Sequence, residues 1–236
     1  MAVRLQKQCH PLHKTPTVQP SAEEKTSPRM PARRAPVVYI NGCPGVGKQT
    51  VAEYLVLLLG ADKAFLIDTY ALGSVRDNEP LTPENPQYGA ATADALSRSL
   101  VHLLELPGNA SRIAILANFA PDTPDGDATA RRCEVAAQHA GRAILPVYLQ
   151  CCADERMRRV QSLERRCSQR IMTNSSASEK SARLVASQVL PEPKLFVFPD
   201  REALTLNVTT AQAWETALRI VEFVNDELTE VQMRDG

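Results

Sequence analysis

Apolar residues along this chain gather in short unbroken runs, each followed by a longer stretch of helical period. The runs are VVYIN at 37–41, AFLID at 64–68, RIAILANF at 112–119, AILPVYLQ at 143–150 and ALTLNV at 203–208. They do not alternate apolar with polar positions, so each predicts a strand buried on both faces. Between them, four segments predict helices: KQTVAEYLVLLL (48–59, closed by Gly60), ATADALSRSLVHLLEL (91–106, stopped by Pro107 and Gly108), DATARRCEVAAQHA (127–140, with Gly141 behind it) and DERMRRVQSLERR (154–166). Ser176 and Glu179 have capping-box spacing for a further helix over 179–189, ended by Pro191 and Pro193. A last helix over 211–229 aligns Trp214, Leu218, Val221 and Leu228 in one stripe, with Trp214 in the core. The alternation predicts an α/β fold with a five-stranded parallel sheet sandwiched by helices. Ligands on such sheets bind at the carboxyl ends of the strands. Asn41, Gly42, Asp68, Asn118 and Asn207 fall there.

Ahead of the first run the pattern stops. Residues 1–35 are rich in proline, serine, threonine and lysine and have no apolar period, so they read as a disordered tail. The folded domain is then 36–236. The whole chain is neutral, with 27 basic and 27 acidic side chains. The tail is basic: Arg4, Lys7, Lys14, Lys25, Arg29, Arg33 and Arg34 stand against Glu23 and Glu24. A neutral chain argues against nucleic acid as a partner, which needs a strongly basic face. No apolar run is long enough to span a membrane. The six cysteines lack C-x-x-C spacing and read as reduced thiols, which suits the cytoplasm. A mitochondrial transit peptide is the rival reading of the tail, opposed by Pro11, Pro16 and Pro20, which spoil an amphipathic helix. Cys9, His10 and His13 read as a chance cluster within it.

The candidate chemistry lies in GCPGVGKQT, residues 42–50. Gly42, Gly45, Gly47 and Lys48 fit the phosphate-loop spacing G-x-x-x-x-G-K, and they stand between a strand and a helix as that motif requires. Glycines let the backbone curl so that its N–H groups form a nest for phosphate. The helix start and the Lys48 ammonium add positive charge. The hydroxyl that belongs directly after the lysine comes one residue late, because Gln49 precedes Thr50. Cys43 contributes its backbone to the loop, Pro44 stiffens it, and Val46 completes it. His102 and His139 lie in helices without an evident partner.

This loop, with a residue between the lysine and a threonine, resembles that of the adenylate-kinase-type P-loop kinases. The stretch 37–208 resembles small P-loop kinase-like NTPases more broadly, including shikimate-kinase-like enzymes and poorly characterised AAA-type or kinase-like ATP-binding proteins of fungi and bacteria. NGCPGVGKQTVAEYL carries the resemblance, with LID (66–68), SLERR (162–166) and LTLNVT (204–209) as weaker support. The resemblance implies ATP and Mg2+ as cofactors, bound at Gly42, Cys43, Pro44, Gly45, Val46, Gly47, Lys48, Gln49 and Thr50, with Thr50 near the metal. It implies Lys48, Asp68, Arg165 and Arg170 as catalytic residues. Asp68 would be the base for an acceptor hydroxyl, and the arginines would belong to a lid over about 154–190 that also holds Arg156, Arg158, Arg159 and Arg166. Residues 208–210 would pack on adenine. One departure stands out: Asn118 replaces the acid that holds the magnesium shell, with Asp122 the nearest carboxylate after it. Three readings follow: a kinase acting on a small hydroxyl-bearing acceptor, a nucleotide-binding module without transferase activity, and a slow NTPase.

Overall fold

The computed structural model describes residues 34–67, 88–161 and 193–235. Within them five strands form one sheet: β1 (Val37–Gly42), β2 (Ala64–Ile67), β3 (Ile113–Asn118), β4 (Ile144–Gln150) and β5 (Leu204–Asn207). The spatial order is β2-β3-β1-β4-β5, and every neighbouring pair is parallel. The described helices are α1 (Lys48–Leu59), α2 (Tyr88–Glu105), α3 (Pro124–His139), α4 (Ala153–Gln161) and α5 (Ala213–Asp235), with a 3-10 turn at Pro107–Asn109.

The unbroken apolar runs have a direct structural cause. β1 is central, and all six of its residues are buried. Its side chains still alternate between faces. Val38 and Ile40 join one core with Ile113, Ile115, Val147 and Leu149, covered by α1 and α5. Val37 and Tyr39 join the other, with Ala114, Leu116 and Ile144, covered by α2, α3 and the extended segment 193–198. Tyr39 meets Phe198 edge to face at 5.5 Å, and Phe198 meets Phe196 at 5.0 Å. The edge strands β2 and β5 are partly exposed.

Three helix boundaries depart from the expectation drawn from the pattern; α2 starts at Tyr88, three residues before the predicted 91. α3 starts at Pro124 and not at Asp127, because Thr123 caps it by accepting from the Gly126 N–H at 3.3 Å and Pro124 takes the first turn. α5 runs to Asp235, and its buried stripe is Ala217, Ile220 and Val224. That stripe is rotated by roughly 80° from the one expected, at 3.6 residues per turn. With Ala217, Ile220 and Val224 turned into the core, Trp214 and Leu218 are left 50% and 43% exposed. Trp214 is therefore not a core residue. The expected helix over 179–189 lies outside the described residues.

The strand order places the site. From β1 the chain crosses to the edge at β2, steps back to β3 beside β1, then passes β1 to lay down β4 and β5 on the other side. The connections leaving the neighbours β1 and β3 thus run in opposite directions, and the crevice at the carboxyl ends of such strands is where open parallel sheets bind ligands. The glycine loop leaves β1 there.

Candidate functional site

The loop from Gly42 to Lys48 turns through two residues in left-handed conformation, Gly45 (φ 85°) and Gly47 (φ 98°). Gly45 is constrained twice over. A β-carbon there would lie 2.7 Å from the Arg156 carbonyl oxygen and 2.8 Å from Val160 Cγ2, so α4 packs directly on the loop. α1 begins immediately afterwards. It has no side-chain cap on its first turn and no acid within it. N–H groups without a side-chain cap, at the positive end of a twelve-residue helix behind a left-handed glycine turn, are an arrangement that can receive an anion.

Lys48 folds its ammonium over this loop. Nζ donates to the carbonyls of Gly42 at 2.7 Å and Cys43 at 3.1 Å, and lies 6.0 Å from the Phe119 ring centroid. Gln49 directs its amide along the exposed helix surface to Glu53 at 3.3 Å. The residue inserted before Thr50 thus serves α1 with its side chain, and Thr50 stands exposed in the first turn. Pro44 and Val46 are buried beneath the loop. Cys43 does more than lend its backbone: its side chain is buried, and Sγ lies 3.7 Å from the Pro193 carbonyl oxygen.

The asparagines at the strand ends divide their work. Asn41 and Asn118 face each other in register on β1 and β3. Asn41 is fully buried and saturated. Its amide nitrogen donates to Ala120 O at 2.9 Å and Phe196 O at 3.1 Å, and its oxygen accepts from Ala120 N at 2.9 Å. It bolts the exit of β3 and the segment 193–198 to the root of the glycine loop. Asn118 is half-buried and accepts from the Phe119 N–H at 2.8 Å. Asn207 accepts from the Thr209 N–H at 3.0 Å. Asp122 is exposed, and its N–H donates to Lys194 O at 2.7 Å.

α4 carries three of the six lid arginines, in three different settings. Arg156 is fully buried. Arg158 is exposed and grips Glu155 through Nε at 2.6 Å and Nη2 at 2.8 Å. Arg159 spans the site: Nε to Glu155 at 2.7 Å, Nη1 to the Val46 carbonyl at 2.9 Å, and Nη2 to the carbonyls of Val208 at 2.8 Å and Thr209 at 3.3 Å. Hydrogen bonds from Arg158 and then Arg159 hold the Glu155 carboxyl down at about 2. Asp68, Arg165 and Arg170 lie outside the described residues, as does the rest of the lid. Among the described residues no group of three or more His, Cys, Asp or Glu side chains could hold a metal ion. The four described cysteines are free thiols; burial pushes Cys133 up to about 12 and also raises Cys151. His139, expected to lack a partner, pairs with Glu105 at 2.9 Å across α2 and α3.

Neither Asn41 nor Arg159 was legible as structural in the sequence. A polar residue inside a central apolar strand was the available signal for Asn41. Arg159 had none, since it is one charge among many on α4.

No protein-family model matches the chain, and no curated protein matches it. Solved structures share its fold. The APS kinase CysC of Mycobacterium tuberculosis, solved with AMPPNP and APS, matches with a TM-score of 0.52 at 18% identity, over 81% of this chain and 98% of its own. The protein APE1195 matches with 0.52 at 17% identity, over 82% and 97%. A protein of Chloroflexus aurantiacus matches with 0.54 at 15% identity, over 83% and 99%. The fold is that of the small P-loop kinases. In this fold the glycine loop, with Lys48 at the start of α1, lies at the carboxyl end of β1. No described helix is long and apolar enough to cross a membrane.

Proposed function

We propose that the protein binds ATP with magnesium and acts as a phosphotransferase toward a small hydroxyl-bearing acceptor. The observation that carries this reading is the uncapped, acid-free start of α1 behind the left-handed Gly45–Gly47 turn, with Lys48 folded over it. A cradle of backbone N–H groups and one ammonium suits a polyphosphate. The bound nucleotide would supply an activated γ-phosphoryl group. The loop N–H groups and Lys48 would hold and neutralise its oxygens, and Thr50, exposed in the first turn, would contribute its hydroxyl near the metal. The nucleotide's own phosphates would carry most of the magnesium coordination, as is common for this ion. Asp68, which directly follows β2, would take the proton of the acceptor hydroxyl.

A second reading, nucleotide binding without transfer, is favoured by Asn118. Its side-chain oxygen accepts from the Phe119 N–H, and a neutral amide stands where the resemblance implies an acid for the magnesium shell. Thermal melts with millimolar MgATP test the shared part of both readings. Wild type should be stabilised, by about 2.7 kcal/mol at a hundredfold excess over Kd, and Lys48→Ala should lose the shift. A wild-type melting temperature indifferent to MgATP sinks both. A screen of small alcohols, sugars and nucleosides for acceptor-dependent ADP release then separates them. Under the kinase reading Asp68→Asn keeps nucleotide affinity and loses transfer by about two to four orders of magnitude. Slow, acceptor-independent release unaffected by Asp68→Asn favours the module.

A further inference from the structure

We infer that Arg159 is a positioning residue that locks the phosphate loop to the loop following β5, so that the two halves of a nucleotide site are held in one alignment. The inference rests on the reading of the glycine loop as a nucleotide site, and of residues 208–210 as the turn that meets the base as the resemblance implies, and goes beyond them by assigning a residue to the alignment of the two ends.

The guanidinium reaches three backbone carbonyls on two segments far apart in sequence. Val46 O belongs to the glycine loop, while Val208 O and Thr209 O belong to the turn after β5. Each segment has its own local support. The Val46 N–H donates to Cys43 O at 3.2 Å within the glycine loop, and the Thr209 N–H donates to Asn207 Oδ1 at 3.0 Å within the turn. Each can therefore keep its own shape without Arg159. Their separation is what the fork sets, assisted by the Cys152 N–H, which donates to Thr209 Oγ1 at 3.0 Å. Glu155 fixes the fork itself, accepting from Nε at 2.7 Å one helical turn away. The side chain is only 25% exposed. A planar guanidinium can serve three acceptors at fixed angles, and an ammonium on a flexible stem cannot.

This arrangement makes a specific prediction about ligands. A molecule that touches both loops gains from their alignment, because binding at one end presents the other end correctly. A molecule that touches one loop gains nothing from it. The probes are MgATP and inorganic tripolyphosphate, titrated calorimetrically into wild type, Arg159→Met and Arg159→Lys. MgATP affinity should fall on the order of 10- to 100-fold in both variants, the loss expected for charged hydrogen bonds, while tripolyphosphate stays within about threefold. Equal losses for both ligands would mean that Arg159 binds phosphate or that the variants are generally damaged, and would overturn the inference. Recovery in Arg159→Lys would mean that charge alone matters, and would also overturn it.

Hydrogen exchange on the ligand-free protein judges the clamp independently of any nucleotide. Peptides over 43–50 and 206–212 should exchange faster in both variants, with β3 (113–118) unchanged as an internal control. Unchanged exchange in the two loops overturns the clamp. If wild type binds neither MgATP nor tripolyphosphate, the proposed function fails, and the exchange result still decides on Arg159.

Discussion

Asn41 ties the exit of β3 and the segment 193–198 to the root of the glycine loop. One buried amide satisfies a donor at Ala120 and acceptors at Ala120 and Phe196. Truncation to alanine strands all three in a region closed to water, and an unsatisfied buried group is costly where a satisfied one is nearly neutral. Asn41→Ala should destabilise the fold by about 2–4 kcal/mol, read from urea unfolding with an unchanged m-value. A loss below half a unit on that scale would show that the segments at 120 and 196 hold without it. Arg142 does comparable work at the opposite end of the sheet. Buried without a described carboxylate partner, it donates to the carbonyls of Ala35, Leu104, Asn109 and Arg112, and burial lowers its pKa.

At the scale of the element, α4 is the piece whose role changes most once its surroundings are known. Alone it is a nine-residue charged helix. Folded, it presses the Arg156 carbonyl and Val160 against Gly45 and sends Arg159 to both loops. Glu155 is its anchor. The carboxyl is held near 2, against an ordinary value of 4.5, by Arg158 and Arg159. A depressed carboxyl pKa contributes stability that is full above the unfolded value and fades as pH falls through the folded one. The stability difference between wild type and Glu155→Gln should therefore be flat from neutral pH down to about 4.5 and shrink as pH approaches about 2. A difference that vanished already between pH 7 and 5 would show that Glu155 is not so held.

At the scale of the molecule, two cores flank one sheet among the described residues. The first of those residues are tied into that body: Arg34 Nη1 reaches Leu104 O at 3.5 Å, and the Ala35 N–H donates to Ala110 O at 2.9 Å. Removal of residues 1–33 should leave unfolding free energy within about 0.5 kcal/mol, the range of changes made away from packed features, and leave MgATP affinity unaltered. A shortened protein that precipitates, or binds nucleotide more weakly, would give the basic tail a structural part.

The alternation of apolar runs with helical segments was enough to establish five parallel strands, because a strand covered on both faces cannot hide its hydrophobicity. The boundaries of α1 follow from Gly47 and Gly60, and the glycine loop from the spacing of its glycines and lysine, since these are local matters of backbone conformation. Tertiary structure alone decided which way the last helix faces, that Asn41 is a bolt and not a ligand, and that Arg159 reaches across two loops. These depend on pairings between residues distant in sequence: Asn41 meets Phe196 over 155 positions, and Arg159 meets Val46 over 113. A polar side chain at a strand end or on a charged helix carries no mark of its partner until the sheet order brings the two together.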